Sequence, residues 1–275
     1  MQNLLTFDLE DWYHGNFLDM DEEISPKNDR VVEPANRILE LLETTANKAT
    51  FFVLGCVAER YPDLIKKIHN QGHEIASHGY NHRLVYKITP DEFSSDLQKS
   101  LDVLQQITNE KVIGYRAPYW SIYPEMDWAW KILAQHGIEY DSSVYPFRTY
   151  LYGDNRAPRF KHHFSVNGFG NIVEIPPTVA KIAKKRIPFC GGFYFRLLPY
   201  RIVKILINRI NLREKQPIVF YLHPYEIDYS KTKSSRGMKN NFILHVNVKK
   251  ARAKLSRLLT EFQFNSIKYF LSKQF

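Results

Sequence analysis

Apolar positions along the chain alternate between short runs and spaced stripes, the rhythm of strands followed by helices. Leu4-Leu5-Thr6-Phe7 is an apolar run that ends in acid, as a buried strand delivering polar groups at its C-terminal end would. Ala35, Ile38, Leu41 and Leu42 mark a helix face, and residues 49–55 form a β-rich run closed by glycine. Pro62 opens a helix carrying Leu64, Ile65 and Ile68, which Gly72 closes. Thr89-Pro90-Asp91-Glu92 is a helix start, with Thr89 as cap and Glu92 three residues on, ahead of Phe93, Leu97, Leu101 and Leu104 on one face. Further strands are predicted over 112–115, 172–175 and 217–222, with a last one near 266–269. Helices are predicted over 126–136, 199–210 and 248–262. This alternation argues for an α/β fold of parallel strands and crossover helices, in which ligands gather at the C-terminal ends of strands. No repeat or linker divides the sequence, so residues 1–275 read as one domain.

Composition narrows the class. A hydrophobic fraction of 44% over 275 residues supplies one sizeable core. No apolar run approaches the roughly 20 residues of a membrane helix. The N-terminus has no basic segment followed by an apolar stretch, so a cytoplasmic location is expected. Cys56 and Cys190 stand alone, which makes neither a zinc framework nor a disulfide scaffold. The net charge of +9 raises nucleic acid, an anionic membrane surface or an acidic polymer as partners. The basic stretches at 181–186, 231–239 and 249–254 are not interleaved with aromatics, so a solvated basic surface is the reading and nucleic acid is disfavoured. Peripheral membrane association through 249–273 competes with a packed final helix, because Leu255, Leu258, Leu259 and Phe262 have the spacing of a buried face.

Four clusters carry candidate chemistry. Asp8-Leu9-Glu10-Asp11 puts three carboxylates directly after a strand, where they repel unless a cation or shared proton holds them. In extended backbone Asp8 and Glu10 point to one side and Asp11 to the other. His78 and His82 have HxxxH spacing, which on a helical turn brings two imidazoles to one metal. With an acidic strand end they form a two-His, one-carboxylate set; His73 reads as structural. Arg116 ends a strand, where burial requires a carboxylate partner, and Asp8 is the natural one. His223 leaves an apolar strand at the rim of the core, where its pKa can be tuned.

In their order along the chain these segments resemble the polysaccharide deacetylases, the carbohydrate esterases with a NodB-homology domain. The resemblance runs from Leu5 to about Ile267 and rests on the acidic strand end, Ala49-Thr50-Phe51-Phe52, Gly72-His73-Glu74 through His82, Tyr115-Arg116-Ala117-Pro118, Tyr140-Asp141-Ser142-Ser143 and Leu222-His223-Pro224. Residues 191–199 and 223–226 look like a subgroup associated with exopolysaccharide gene clusters. The resemblance implies a distorted (β/α) barrel of seven parallel strands and a divalent metal, commonly zinc. It also implies hydrolysis of N-acetyl groups on a GlcNAc-type polysaccharide. It makes His78 and His82 metal ligands, Asp8 the catalytic base, Arg116 the group that orients Asp8, and His223 the general acid.

The commoner motif has two adjacent aspartates, whereas Leu9 follows Asp8 here. Strand geometry therefore favours Glu10 as third ligand, with Asp11 as fallback. Glu174 and Asp141 are candidates to raise the His223 pKa. Trp12, Tyr119, Trp120, Tyr194 and Arg196 are candidate sugar contacts. Competing readings are a small-molecule amidase on the same barrel and an inactive carbohydrate-binding relative.

Overall fold

The first apolar run forms an inner strand of a sheet. Strand β1 (Asn3–Leu9) is buried along its whole length in the computed structural model, which describes residues 1–14, 29–228 and 237–273. Helix α1 (Val32–Thr44) buries Ala35, Ile38 and Leu42 and leads to β2 (Thr50–Val53), which pairs in parallel with β1 from Thr6–Thr50 to Leu9–Val53. Helices α2 (Gly55–Arg60) and α3 (Pro62–Asn70) precede β3 (Glu74–Ser77). Helix α4 (Pro90–Thr108) starts at the expected capping box: Thr89 Oγ1 accepts from Glu92 N–H, and Glu92 accepts from Thr89 N–H. Strands β4 (Gly114–Tyr115) and β5 (Tyr140–Asp141) flank α5 (Asp127–Gln135).

Past β5 the chain holds elements that the periodicity does not reveal. Strand β6 (His162–Val166) turns back antiparallel against β7 (Gly170–Glu174), and β8 (Val179–Ile182) pairs with β9 (Lys185–Pro188) in a separate hairpin. Strand β7 is the one expected near 172–175, whereas β6, β8 and β9 are short and half-exposed, so no apolar run marks them. Helices α6 (Gly192–Leu197) and α7 (Tyr200–Asn208) lead through a wider turn (Arg209–Glu214) into β10 (Val219–Leu222). Helices α8 (Gly237–His245) and α9 (Val248–Glu261) follow, then β11 (Phe264–Asn265) and α10 (Ile267–Ser272). The strand expected near 266–269 is thus a helix. Ser266 caps it by accepting from Tyr269 N–H, and the only extended pair lies just before it.

The strand order is β10-β1-β2-β3-β4-β5-β7-β6, seven of them parallel and β6 antiparallel at the edge. The ends of this row approach each other through a pinched contact. Thr178 N–H donates to the Val219 carbonyl at 3.1 Å, and Val219 N–H donates to Thr178 Oγ1 at 2.8 Å. Gly191, at φ 136°, bridges to Tyr221; a Cβ there would lie 2.0 Å from the Tyr221 carbonyl oxygen, so only glycine permits the approach. The result is a distorted (β/α) barrel. Leu255, Leu258 and Leu259 of α9 are buried against it, each worth about 1.5–3 kcal/mol. The face that might have met a membrane is therefore core. The basic stretch at 231–239 lies outside the residues whose side chains are described.

Candidate active site

The parallel strands deliver their last residues to one end of the barrel, and the polar clusters meet there. Asp8, Glu10, His78, His82, Tyr119, Trp120, Tyr194 and His223 all line one cleft. Glu10 Oε2 lies 2.6 Å from His82 Nε2 and 3.8 Å from His78 Nε2. One donor atom from each of these three residues falls within 4.8 Å of the others. Glu10 Oε2 is buried yet satisfies no hydrogen-bond geometry. A carboxylate oxygen and two imidazole nitrogens crowded this closely fit a divalent cation. His78 Nδ1 lies 2.7 Å from the Arg116 carbonyl oxygen, an orientation that leaves Nε2 for that cation.

The route by which the histidines meet differs from the expected one. Residues 78–82 form no helical turn. Gly79 at φ 78° and His82 at φ 56° fold the segment back on itself in left-handed conformation after β3. The imidazole centroids end 5.3 Å apart. The alternation along the acidic strand does hold. Asp11 faces away, where its carboxylate accepts from the backbone N–H groups of Trp12, Arg30 and Val31. Burial pushes its pKa up to about 6 against those bonds. His73 is far from the set by role: its Nδ1 accepts from Ala49 N–H, and its ring packs on Phe51.

Asp8 is held from behind by Arg116, which is fully buried. Arg116 Nη1 donates to Asp8 Oδ1 at 2.7 Å and to Thr6 Oγ1 at 2.9 Å, while Nε and Nη2 donate to the carbonyl and hydroxyl of Ser142. Thr6 passes its own proton to the Phe220 carbonyl on β10, and Ser142 passes its proton to the Ile175 carbonyl. The guanidinium thus ties several strands together beneath the cleft, and all of its bonds fix the direction in which Asp8 points.

His223 faces the same carboxylates, with Nε2 at 3.7 Å from Asp8 Oδ2 and 3.5 Å from Glu10 Oε1. Its other nitrogen, Nδ1, bonds Glu226 Oε2 at 2.9 Å. Burial lowers the His223 pKa, but the hydrogen bond and charge of Glu226, with Glu10 and Asp8, override this and push it up to about 9. His78 lies on the other side of the balance, with burial dominant and its pKa lowered to about 4. Burial alone would raise the Glu10 carboxyl. The pull of His82, His223 and His78 wins and holds it well below the usual carboxylate range.

The acid that tunes His223 is therefore Glu226 and neither Glu174 nor Asp141. Those two lie against each other in the core, where Ser143 bonds both oxygens of Asp141 and Val144 N–H donates to Glu174 Oε1. A signal for Glu226 was present in the sequence. It stands three residues after His223 behind Pro224, the spacing at which a side chain reaches back to the cap residue, and it accepts from His223 N–H at 3.0 Å. Arg196 is also displaced from its expected part as a sugar contact. It borders the cleft, but Nε donates to Glu226 and the remaining nitrogens to the carbonyls of Ile243, Leu244 and Val246, so it braces Glu226.

Tyr119 and Trp120 also line the cleft, both in left-handed conformation at φ 53° and φ 48°. Such positions cost about 1–3 kcal/mol in non-glycine residues and persist where surrounding structure enforces them. Tyr119 packs edge-on to His82, and Trp120 packs among Tyr145, Tyr152 and Tyr221. Trp12 is not among the residues lining the cleft.

Comparison with known proteins places this arrangement. Residues 19–140 match the family model for polysaccharide deacetylase, and residues 142–272 match a model described as a domain of unknown function (DUF3473). The chain carries a polysaccharide deacetylase domain. Over 94 residues it is 35% identical to a peptidoglycan-N-acetylglucosamine deacetylase of Bacillus cereus, a match covering 34% of each protein. The chain thus spans about a third of the length of such curated relatives. Among solved structures, a Mycobacterium smegmatis protein assigned to the polysaccharide deacetylases superposes over 99% of this chain and 91% of its own, with a TM-score of 0.62 at 18% identity. A Bacillus anthracis protein described as a CE4 family pseudoenzyme superposes over 98% of this chain and 65% of its own, with a TM-score of 0.51 at 16% identity. These likenesses show the polysaccharide deacetylase fold. The second family model begins at residue 142, between β5 and β7, which are neighbours in the same sheet.

Proposed function

We propose that this polysaccharide deacetylase domain hydrolyses N-acetyl groups on a GlcNAc-containing glycan with a divalent metal, and that residues 1–275 act as one domain. The reading is carried by a single observation: the Glu10, His78, His82 set, the Asp8–Arg116 pair and the His223–Glu226 pair open into one cleft. Two imidazoles and one carboxylate suit zinc, with coordination positions left for water and substrate. A cation held by Glu10, His78 and His82 would supply Lewis-acid polarisation of the amide carbonyl and of the attacking water.

The chain's own groups do the rest. Asp8 accepts a proton from water as the water oxygen bonds the carbonyl carbon, and the hydrogen bond from Arg116 holds Asp8 aimed. His223, protonated through Glu226, donates from Nε2 to the nitrogen as the C–N bond breaks. The products are acetate and a free amino sugar. Tyr119, Trp120 and Tyr194 offer ring faces to the sugar.

The test supplies zinc to the protein and follows acetyl loss by mass spectrometry across N-acetylated oligosaccharides and small amides. Loss from the oligosaccharides alone supports the reading, and loss from the small amides alone replaces it with an amidase. Glycan binding with metal retained and no acetate released assigns the chain to the inactive relatives that its pseudoenzyme neighbour exemplifies.

A further inference from the structure

Helices α6 and α7 connect the cleft to the outside of the barrel. Gly192, Phe193 and Tyr194 at the start of α6 line the cleft, and α7 begins three residues after α6 ends. The inner face of α7 is core, with Val203, Leu206 and Ile207 buried and Ile210 buried in the turn that follows. Its outer face departs from the rule that a surface helix turns polar groups to water. Ile202 is 42% exposed, Ile205 64% and Leu212 65%, with Leu197 at 42% just before. Ile202 and Ile205 lie one turn apart on α7, and Leu212 follows in the wider turn that extends it.

Cations border this strip. Arg201, Arg213 and Lys215 are exposed, and none forms an ion pair among the described residues. The nearby carboxylates are already engaged: Glu214 with Arg159 at 2.8 Å, and Glu261 with Lys204 at 2.9 Å and Arg257 at 2.8 Å. The face therefore combines an apolar ridge with uncompensated positive charge on a chain of net charge +9.

We propose that this face docks on an anionic lipid surface, with Ile202, Ile205 and Leu212 entering the headgroup boundary and Arg201, Arg213 and Lys215 meeting lipid phosphates. An amphipathic helix with basic flanks binds in this way without spanning. No helix among the described residues is long and apolar enough to cross a membrane. Charge decides against a second copy of the chain as occupant, since a two-fold pairing through this face would set the same unpaired cations against one another. Docking of α7 would hold the cleft, which α6 borders, at a fixed position relative to the lipid surface. This goes beyond the chemistry proposed for the cleft and does not depend on it.

The experiment sediments the full chain with vesicles of phosphatidylglycerol and phosphatidylcholine, and with phosphatidylcholine alone. Partition onto the anionic vesicles only, weakened by salt, is expected. The double substitution Ile205→Asp with Leu212→Asp should reduce partition roughly tenfold or more, as should Arg201→Glu with Arg213→Glu. All four positions are solvent-exposed, and an unchanged circular dichroism melt confirms that the fold survives. Failure of the wild-type chain to bind anionic vesicles overturns the proposal, as does binding that the Ile205→Asp, Leu212→Asp pair leaves intact. So does a dimer in light scattering that this pair dissociates without any vesicle binding. Acetate release from soluble oligosaccharides reads the cleft separately and should be the same in these variants.

Discussion

Two pairs of buried acids lie in this barrel, and they differ in what answers their charge. Asp8 and Glu10 are met by cations and imidazoles: Arg116 behind Asp8, and His82, His78 and His223 around Glu10. Asp141 and Glu174 have no such partner bonded to them and answer each other instead. Burial is the largest cause pushing Glu174 far above the usual carboxylate range, and the neighbouring Asp141 adds to it. Both pairs are buried, and both sit at the C-terminal ends of strands of one sheet. A carboxylate braced by fixed positive charge can take a proton or hold a metal. A carboxyl that shares a proton with its neighbour is a hydrogen-bonded strut.

The comparison is broken most severely at the cations' focus. His82→Ala should abolish metal retention, measured by elemental analysis, and acetate release with it. A metal-free variant that remained active would remove the basis for the whole site. Asp8→Asn should lower kcat by roughly 10³-fold while metal content stays at the wild-type level. A loss of less than tenfold would place the base elsewhere.

Glu226→Gln probes the tuning of the acid. His223 holds its proton more tightly in the fold than its ordinary value of 6.5, so the stabilisation from its charge is complete below about pH 6.5 and is lost as pH rises through about 9. Activity that requires protonated His223 should decline on the alkaline side near 9. In Glu226→Gln that limb should move toward neutral pH, costing about tenfold in rate at pH 8. An unmoved limb would detach His223 from the acid step.

The smallest effect is expected at the strut. Burial pushes Glu174 toward its neutral form, whose charge and shape Glu174→Gln copies. Activity should stay within about twofold at every pH, with stability changed by about 1 kcal/mol or less. A pH profile shifted by this substitution would mean that the buried pair communicates with the cleft after all.

Much of this was readable from residue order. The acidic strand end with period-two alternation separated Asp8 and Glu10 from Asp11, because a strand's side chains must alternate. The capping box at Thr89 and the packed stripe of α9 are local patterns as well, and they formed as read. What lay beyond reach was non-local or irregular. The turn joining His78 to His82 depends on left-handed backbone rather than on helical spacing. Strands β6, β8 and β9 carry no apolar run, being half-exposed.

By itself the sequence determined which groups leave which strands, since periodicity and strand direction are properties of the chain alone. Only the tertiary structure decided which of them face one another. Glu226 rather than Glu174 stands behind His223, and Arg196 braces it instead of facing a sugar, because burial and pairing depend on elements up to 50 residues apart being folded together. It also left Ile202, Ile205 and Leu212 outside the core, although their neighbours on the same helix are buried within it. An apolar residue in a helix pattern does not say what will cover it.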